Sequence, residues 1–449
     1  MDSVPTSSTA AAIRLTLQQC ARQHGSRPAI IDRHGAVTFA QLWHQARMLA
    51  TQHASPPGTV VTIASTSTAA FFIRVAAVWL NDAVPLPIDA KAPPLPRQHG
   101  SRMDVDGVHH CRPWKAVTSV AEGSYRRLVS GGEPPTNARK AFALGLGADI
   151  PGNTSGAQVA LFAAPLHLNG PFELAVRHLL LGGTVAVLDH FDAAVWTEFA
   201  ASVGARWAFL APIQIARLLD QANRRELRTA LAGLQTLLHS AAPCPAPVRE
   251  RLLRLVEPHV VADYYGAAEY DGTFARAAEG QAGARPIPGA QFRIVDTSGQ
   301  PVPTGSVGII EGRSTAGCLS HYSDEPCRTD GLWRTVGDRG LLDRSGRLIV
   351  TVTATAGRAI VGGVNVALAH VHAVVAAHPA VRDCQVTATS DDTYGQVISA
   401  RVTTRAPLDL EALFAHCQAH LRPAERPRHL HIAHTDQPLS EERDHAVTV

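Results

Sequence analysis

Asp330-Gly-Leu-Trp-Arg-Thr-Val-Gly-Asp338-Arg-Gly-Leu-Leu-Asp-Arg-Ser-Gly-Arg-Leu-Ile-Val350 reads as one acidic residue in a glycine frame followed by a β-hairpin. Leu341-Leu342 and Leu348-Ile349-Val350 flank Asp343-Arg344-Ser345-Gly346-Arg347, whose Gly346 can take the positive φ that a tight turn needs. Just upstream, Thr335-Val-Gly-Asp338-Arg-Gly340 surrounds a carboxylate with small neighbours. Such neighbours let a ligand approach the backbone, and an ionised carboxylate can accept two hydroxyl hydrogen bonds. T-x-G-D alone is a weak pattern, because any surface turn can carry it.

Around this hairpin, residues 286–350 have a β texture broken by the turn dipeptides Pro288-Gly289, Ser298-Gly299 and Thr304-Gly305. Upstream, strand patterns at 28–32, 60–64, 83–88, 159–165, 182–188, 207–210, 234–238 and 260–265 alternate with helical spacing at 11–23, 69–80, 172–181, 193–203, 212–221 and 245–256. Thr38 is placed to cap a further helix with Leu42, Ala46 and Leu49 on its apolar face. Alternation at this spacing predicts a parallel sheet with helices on its faces. Residues 95–140 show little periodicity, and His109-His110 within them reads as loop rather than metal site. Downstream, a helix at 367–377, strands at 381–388 and 397–402 and a helix at 408–421 form a mixed segment, with a boundary near 354.

At 449 residues, the chain exceeds what one hydrophobic core usually serves. Forty-one basic and 38 acidic residues give a net charge of +3, and no Lys/Arg run offers a face for nucleic acid or an anionic membrane. The apolar runs, such as Val75 to Leu80, are too short to span a bilayer, and Met1 to Thr9 lacks a basic region before an apolar one, so the expected location is the cytoplasm. Seven cysteines are scattered without C-x-x-C, and 22 histidines include no H-E-x-x-H, which argues against a disulfide framework and a zinc site.

Several stretches, taken together and in order, resemble the adenylate-forming superfamily: acyl- and aryl-CoA synthetases, peptide-synthetase adenylation domains and luciferase. Ala164-Pro-Leu-His167-Leu-Asn-Gly170 with Leu180 to Leu188 resembles its acyl-pocket segment, and Ser240-Ala241-Ala242-Pro243 its adenine-flanking loop. Asp263-Tyr-Tyr265-Gly266-Ala-Ala-Glu269 resembles the Y-G-x-T-E motif. Gly283 to Gly289, Thr335 to Asp338, and Gly362 to Val366 followed by His378 to Val381 complete the set. The resemblance implies an α/β fold: a large N-terminal domain (1–354) of mixed and parallel sheets flanked by helices, with a β-rich subdomain, and a small mobile α+β C-terminal domain (355–449). It implies that Asp338 holds the ribose hydroxyls of ATP or AMP, and that Ser240, Ala241, Tyr265 and Gly266 line the nucleotide, with Tyr265 against the adenine. Glu269 would hold magnesium where ATP is used, a hard oxygen ligand for a hard cation, and His167 would face the carboxylate being activated. The implied acyl acceptors are CoA or a carrier-protein thiol.

Four stretches depart from that pattern. Ala268 replaces the Thr of Y-G-x-T-E. The phosphate loop, normally a Ser/Thr/Gly-rich run closed by G-x-P-K-G, corresponds to Phe142 to Asn153, which has no Lys and carries Asp149. Thr154-Ser-Gly156 stands too close to His167 to replace it. The hinge G-R-x-D-D aligns with Thr353 to Gly357 or, shifted, Gly357-Arg358, and His370 and His372 stand where acids are expected. At the C-terminal P-x-x-x-x-G-K, Asp444 of Pro438 to Asp444 replaces the Lys. Losing that cation and adding acids opposite a triphosphate costs on the order of several kcal/mol of transition-state stabilisation.

Two readings follow. The first is an acyl-activating type of enzyme that acts on a carboxylic acid, acyl-adenylate or acyl thioester and passes the acyl group to a thiol, amine or hydroxyl, with the ATP-dependent half in doubt. The second is a non-catalytic descendant that binds an acyl ligand or a partner enzyme. The first is the expectation carried forward.

Overall fold

In a computed structural model of the chain, Arg339–Leu342 pairs antiparallel with Leu348–Val352, Leu342 opposite Leu348 and Leu341 opposite Ile349. Asp343 closes the turn: its Oδ1 accepts from the amides of Ser345 and Arg347 and from the Ser345 hydroxyl, at 2.7–2.9 Å. Gly346 has φ +75°, the left-handed conformation expected of it. The structure describes residues 6–56, 60–89, 102–103, 109–110, 158–267, 270–277, 283–286, 290–314, 329–330, 333–352, 358–362, 364–391, 394–404, 410–433 and 446–448. The phosphate-loop region 142–156, Ala268, Glu269, the stretch 353–357 and Pro438 to Asp444 lie outside them.

The chain divides into two compact units, the first comprising Met1–Leu210, Leu218–His239 and Leu253–Thr353 and the second Ala211–Arg217, Ser240–Leu252 and Ala354–Val449. Among the described residues of the first, a nine-stranded sheet runs in the order Arg285–Pro286, Tyr270–Arg276, Val261–Ala267, Thr236–His239, Trp207–Leu210, Val159–Phe162, Thr184–Val187, Pro28–Asp32, Gly35–Thr38. The six strands from Val261–Ala267 to Pro28–Asp32 are parallel, as the alternating pattern predicts, and antiparallel strands finish both edges. Their cores are apolar on both faces: Thr184–Val187, Trp207–Leu210 and Thr236–His239 are buried at every position.

Val60–Ser65 and Val84–Asp89 form a separate four-stranded sheet with Arg102–Met103 and His109–His110. His109-His110 is therefore strand rather than the expected loop; it pairs with Val61 and Thr62, whose buried edge needs a backbone partner. A six-stranded antiparallel sheet built on Ala290–Val295, Gly308–Ser314 and the hairpin makes up the β-rich part. Helix Phe39–Gln52 opens with Thr38 accepting from the Gln41 amide, while the Gln41 side chain accepts from the Thr38 amide. Asp32 Oδ2 accepts from the Ala69 amide at 2.8 Å and so caps helix Ala69–Leu80 from another element. Helix Arg224–Ala232, which the expected element list lacks, is capped by Asn223 and buries Leu227, Ala230 and Leu231.

Among the described residues of the second unit, Gly395–Thr404 pairs antiparallel with Val381–Asp391 and parallel with His429–Ala433. Helices Leu368–Ala376 and Leu410–His420 supply Val371, Val375, Leu413 and Cys417 to a core shared with Val366, Ile398, Ala400 and Val402. No helix among the described residues is long and apolar enough to cross a membrane. Cys20, Cys384 and Cys417 are buried.

Candidate functional site

The carboxyl ends of parallel strands are where open α/β sheets hold ligands. Val159–Phe162 leads through Ala163, Ala164 and Pro165 to His167, half-buried, just ahead of helix Asn169–Leu180. Val261–Ala267 carries Tyr264, Tyr265 and Gly266 beyond its last parallel pair, His239 opposite Asp263. Strand alternation separates the two tyrosines. Tyr264 packs against the main core and Ala290, whereas Tyr265 packs against Ile294, Ile310 and Leu348 of the β-rich part.

Gly266 sits in an irregularity of the pairing with Tyr270–Arg276, between Tyr265 opposite Thr273 and Ala267 opposite Tyr270. A Cβ there would lie 2.9 Å from the end of the Tyr264 ring, so a larger residue would have to push that ring aside. Ala268 and Glu269, between Ala267 and Tyr270, are outside the described residues.

Asp338 enters from the other side, immediately before Arg339–Leu342. The Gly337 amide donates to Thr335 Oγ1 at 2.9 Å, and the Ile310 amide donates to the Asp338 carbonyl at 2.8 Å, which fixes the backbone on both sides of the acid. The residue is 9% exposed. Its Oδ2 accepts a 2.7 Å hydrogen bond from the Tyr265 hydroxyl. That is a charge-assisted O–H···O⁻ distance, and it joins residues 73 apart in sequence. Of the residues singled out from the sequence, Tyr265, Gly266 and Asp338 are thus brought together. His167 is on the same unit.

Ser240 and Ala241 follow Thr236–His239 directly and are grouped with the second unit. Ala241 has φ +78°. A left-handed conformation in a residue with a Cβ costs about 1–2 kcal/mol, and such strain clusters at functional turns. The expected nucleotide-lining role picked this turn, but no sequence signal announces the strain, because alanine rarely adopts it. His239, which sequence reasoning missed, is 3% exposed with Nδ1 3.5 Å from Asp263 Oδ1. The signal was a polar residue ending the apolar run Leu237-Leu238.

The helix after His167 contains a second histidine in a very different setting. His178 donates through Nδ1–H to the Leu174 carbonyl at 3.0 Å, and its ring lies 4.6 Å from that of Trp207 and 6.1 Å from that of Phe162. Burial pushes its pKa down to about 4, with the Leu174 carbonyl opposing and the neighbouring Arg177 cation reinforcing. His178 is therefore a neutral core residue at physiological pH. Among the described residues, no group of three or more His, Cys, Asp or Glu is arranged to hold a metal ion.

Two family models match the chain: AMP-binding enzyme over residues 139–318, and AMP-binding enzyme C-terminal domain over residues 370–442. Among curated proteins, the "Probable 2-succinylbenzoate–CoA ligase" of Mycobacterium tuberculosis is 27% identical over 285 residues, covering 61% of this chain and 68% of that one. The sulfoacetate–CoA ligase of Cupriavidus necator is 29% identical over 283 residues, covering 58% of this chain and 52% of that one, so the match spans about half its length. Among solved structures, o-succinylbenzoate CoA synthetase (MenE) from Bacillus subtilis aligns with a TM-score of 0.75 at 18% identity, covering 96% of this chain and 99% of that one. The amide bond synthetase McbA from Marinactinospora thermotolerans aligns with a TM-score of 0.72 at 21% identity over 95% of both. At these identities the two structures speak for the fold.

Proposed function

The chain belongs to the adenylate-forming superfamily, the AMP-binding enzymes, and on that premise we propose that it is an acyl-activating enzyme whose working ligand is an acyl-adenylate or AMP rather than intact ATP. The observation that carries this reading is the 2.7 Å bond between Tyr265 and the buried carboxylate of Asp338. It draws the residue expected against the base and the residue expected on the ribose into one structure.

In this reading, residues 1–354 hold the nucleotide and the acid, and residues 355–449 form the small domain. Asp338 accepts from the ribose, Tyr265 and Gly266 border the base, Ser240 and Ala241 line the nucleotide, and His167 faces the acyl carbonyl. The acyl group leaves AMP for a thiol, amine or hydroxyl; CoA fits the CoA-ligase relatives, and a carrier-protein thiol is the other acceptor in this reading. The doubt over ATP comes from the sequence: no Lys in Phe142 to Asn153, and Asp444 in place of the C-terminal Lys. Glu269 remains the residue proposed for magnesium if ATP is used. The competing reading is a non-catalytic scaffold that binds an acyl ligand or a partner enzyme; the assay below separates the two.

Calorimetry with AMP, ATP and a non-hydrolysable acyl-adenylate tests the site. AMP and the analogue should bind, ATP more weakly, and Asp338→Ala should abolish both signals. No binding of any of the three would sink the nucleotide reading, and ATP binding tighter than AMP would sink the preference. Formation of acyl hydroxamate from a synthetic acyl-adenylate, lost in Asp338→Ala, is the enzymatic result; unchanged background hydrolysis points to a scaffold.

A further inference from the structure

The Tyr265 hydroxyl occupies an oxygen of the carboxylate that the reading above assigns to ribose. Its ring packs against the cluster of Ile294, Ile310 and Leu348, and the acid is fixed by the Ile310 amide on its own carbonyl, so both partners rest on the same β-rich part. The bond is therefore built into the packing rather than borrowed from a flexible side chain. An oxygen that already accepts one charge-assisted hydrogen bond at 2.7 Å is a weaker acceptor for a second donor, because the two donors share one negative charge.

We propose that Tyr265 sets the sugar specificity of this site by supplying from the protein one of the two hydroxyl donors that the carboxylate would otherwise take from ribose. Asp338 then reads chiefly one ribose hydroxyl, and the nucleotide ligands include deoxyribose forms lacking the other. The inference rests on Asp338 being the ribose carboxylate. A merely structural role for the Tyr265–Asp338 bond, filling a buried carboxylate when no ligand is bound, would change stability but not the dependence of affinity on individual sugar hydroxyls.

The test is a ligand-by-mutation cycle: Kd for AMP, 2′-deoxy-AMP and 3′-deoxy-AMP on the wild-type chain and on Tyr265→Phe, which keeps the ring and removes the donor. In the wild type, one of the two deoxy analogues should bind within about 3-fold of AMP, and the other should lose about 10-fold or more, the range of one hydrogen bond to a charged group. In Tyr265→Phe both analogues should lose about 10-fold relative to AMP. Should the variant fail to fold, the wild-type ratios decide alone: losses of about 10-fold for both analogues overturn the proposal. Unchanged ratios between wild type and Tyr265→Phe also overturn it. Failure of the wild type to bind AMP at all overturns instead the assignment of Asp338 to ribose, so the two failures are told apart.

Discussion

Below pH 6.5 the native state should lose stability because of one residue, His178. Burial holds its native pKa at about 4, against an ordinary imidazole value of 6.5. At about 1.36 kcal/mol per unit this amounts to about 3 kcal/mol. The sign follows from where the proton goes. Above pH 6.5 the imidazole is neutral in both states and contributes no pH dependence. Between pH 6.5 and 4 the unfolded chain takes up a proton that the native core, with the ring 4.6 Å from that of Trp207, does not accept. The loss grows by at most about 1.4 kcal/mol per pH unit and saturates below pH 4.

Urea unfolding of the wild type and of His178→Leu, measured every half unit from pH 7.5 to 3.5, isolates the effect, because carboxylate titrations common to both proteins cancel in the difference. The difference in unfolding free energy should be flat above pH 6.5 and shift by about 3 kcal/mol in favour of the variant by pH 4. Parallel curves would refute the assignment of a depressed pKa to His178. The result bears on function as well. His178 lies in the helix that follows His167, so an acid limb in an activity profile is evidence about His167 only if it survives in His178→Leu.

The hairpin, the strained turn and the Arg422–Glu425 pair make four further expectations. Gly340→Ala drives a Cβ into the Ile349 carbonyl oxygen and to 3.0 Å from Ile310 Cδ1, and should cost on the order of 3 kcal/mol or more in chemical denaturation. Gly346→Ala, with φ +75° but nothing within 4 Å of the added Cβ, should cost only about 1 kcal/mol; similar losses for the two would contradict the packing. Ala241→Gly relieves a φ of +78° and should raise the thermal midpoint, a gain of about 0.5–1 kcal/mol after the entropy cost of glycine. Glu425→Gln weakens the link in which Arg422 donates through its backbone amide and guanidinium to a carboxylate that is 4% exposed, and should cost about 1–2 kcal/mol by thermal melting.

Local patterns carried the elements whose cause is local. Helix Ala69–Leu80 lies where its apolar spacing predicts, and Thr38 makes the capping contact its side chain suggests. The turn Asp343 to Arg347 was legible because an Asp, a Ser and a Gly at those offsets can form hardly anything else. Helix Arg224–Ala232 was also legible and passed over: Asn223 and the spacing of Leu227, Ala230 and Leu231 are sufficient, but five charged or hydroxyl residues mask the stripe. Strand Tyr270–Arg276 was harder to read, since its Asp271 and Gly272 disfavour sheet and its position is set by the partner Val261–Ala267. Nor does any periodicity say that Val60–Ser65 and Val84–Asp89 leave the main sheet for their own, because a strand's pattern records burial and not its neighbours. For the site, motif order pointed to Tyr265 and Asp338 separately. That they bond to each other was invisible, as was the left-handed Ala241, since both are consequences of tertiary packing.

The Tyr265–Asp338 bond also ties the nine-stranded sheet, through Val261–Ala267, to the six-stranded one, through the loop ahead of Arg339–Leu342. Its loss should therefore register in two measurements of different origin. Tyr265→Phe removes a hydrogen bond to a largely buried carboxylate, a loss of about 1.5–3 kcal/mol of unfolding free energy. If ribose hydroxyls and Tyr265 satisfy the same acid, AMP returns part of that loss, so at one fixed AMP concentration the midpoint shift should be larger for the variant than for the wild type, because its lower Kd for AMP raises RT ln(1 + [L]/Kd). If the bond serves packing alone, the two proteins should gain equally from the nucleotide. A larger gain in the wild type would mean that Tyr265 assists ribose binding rather than competing with it, and the carboxylate would then hold all three hydroxyls together.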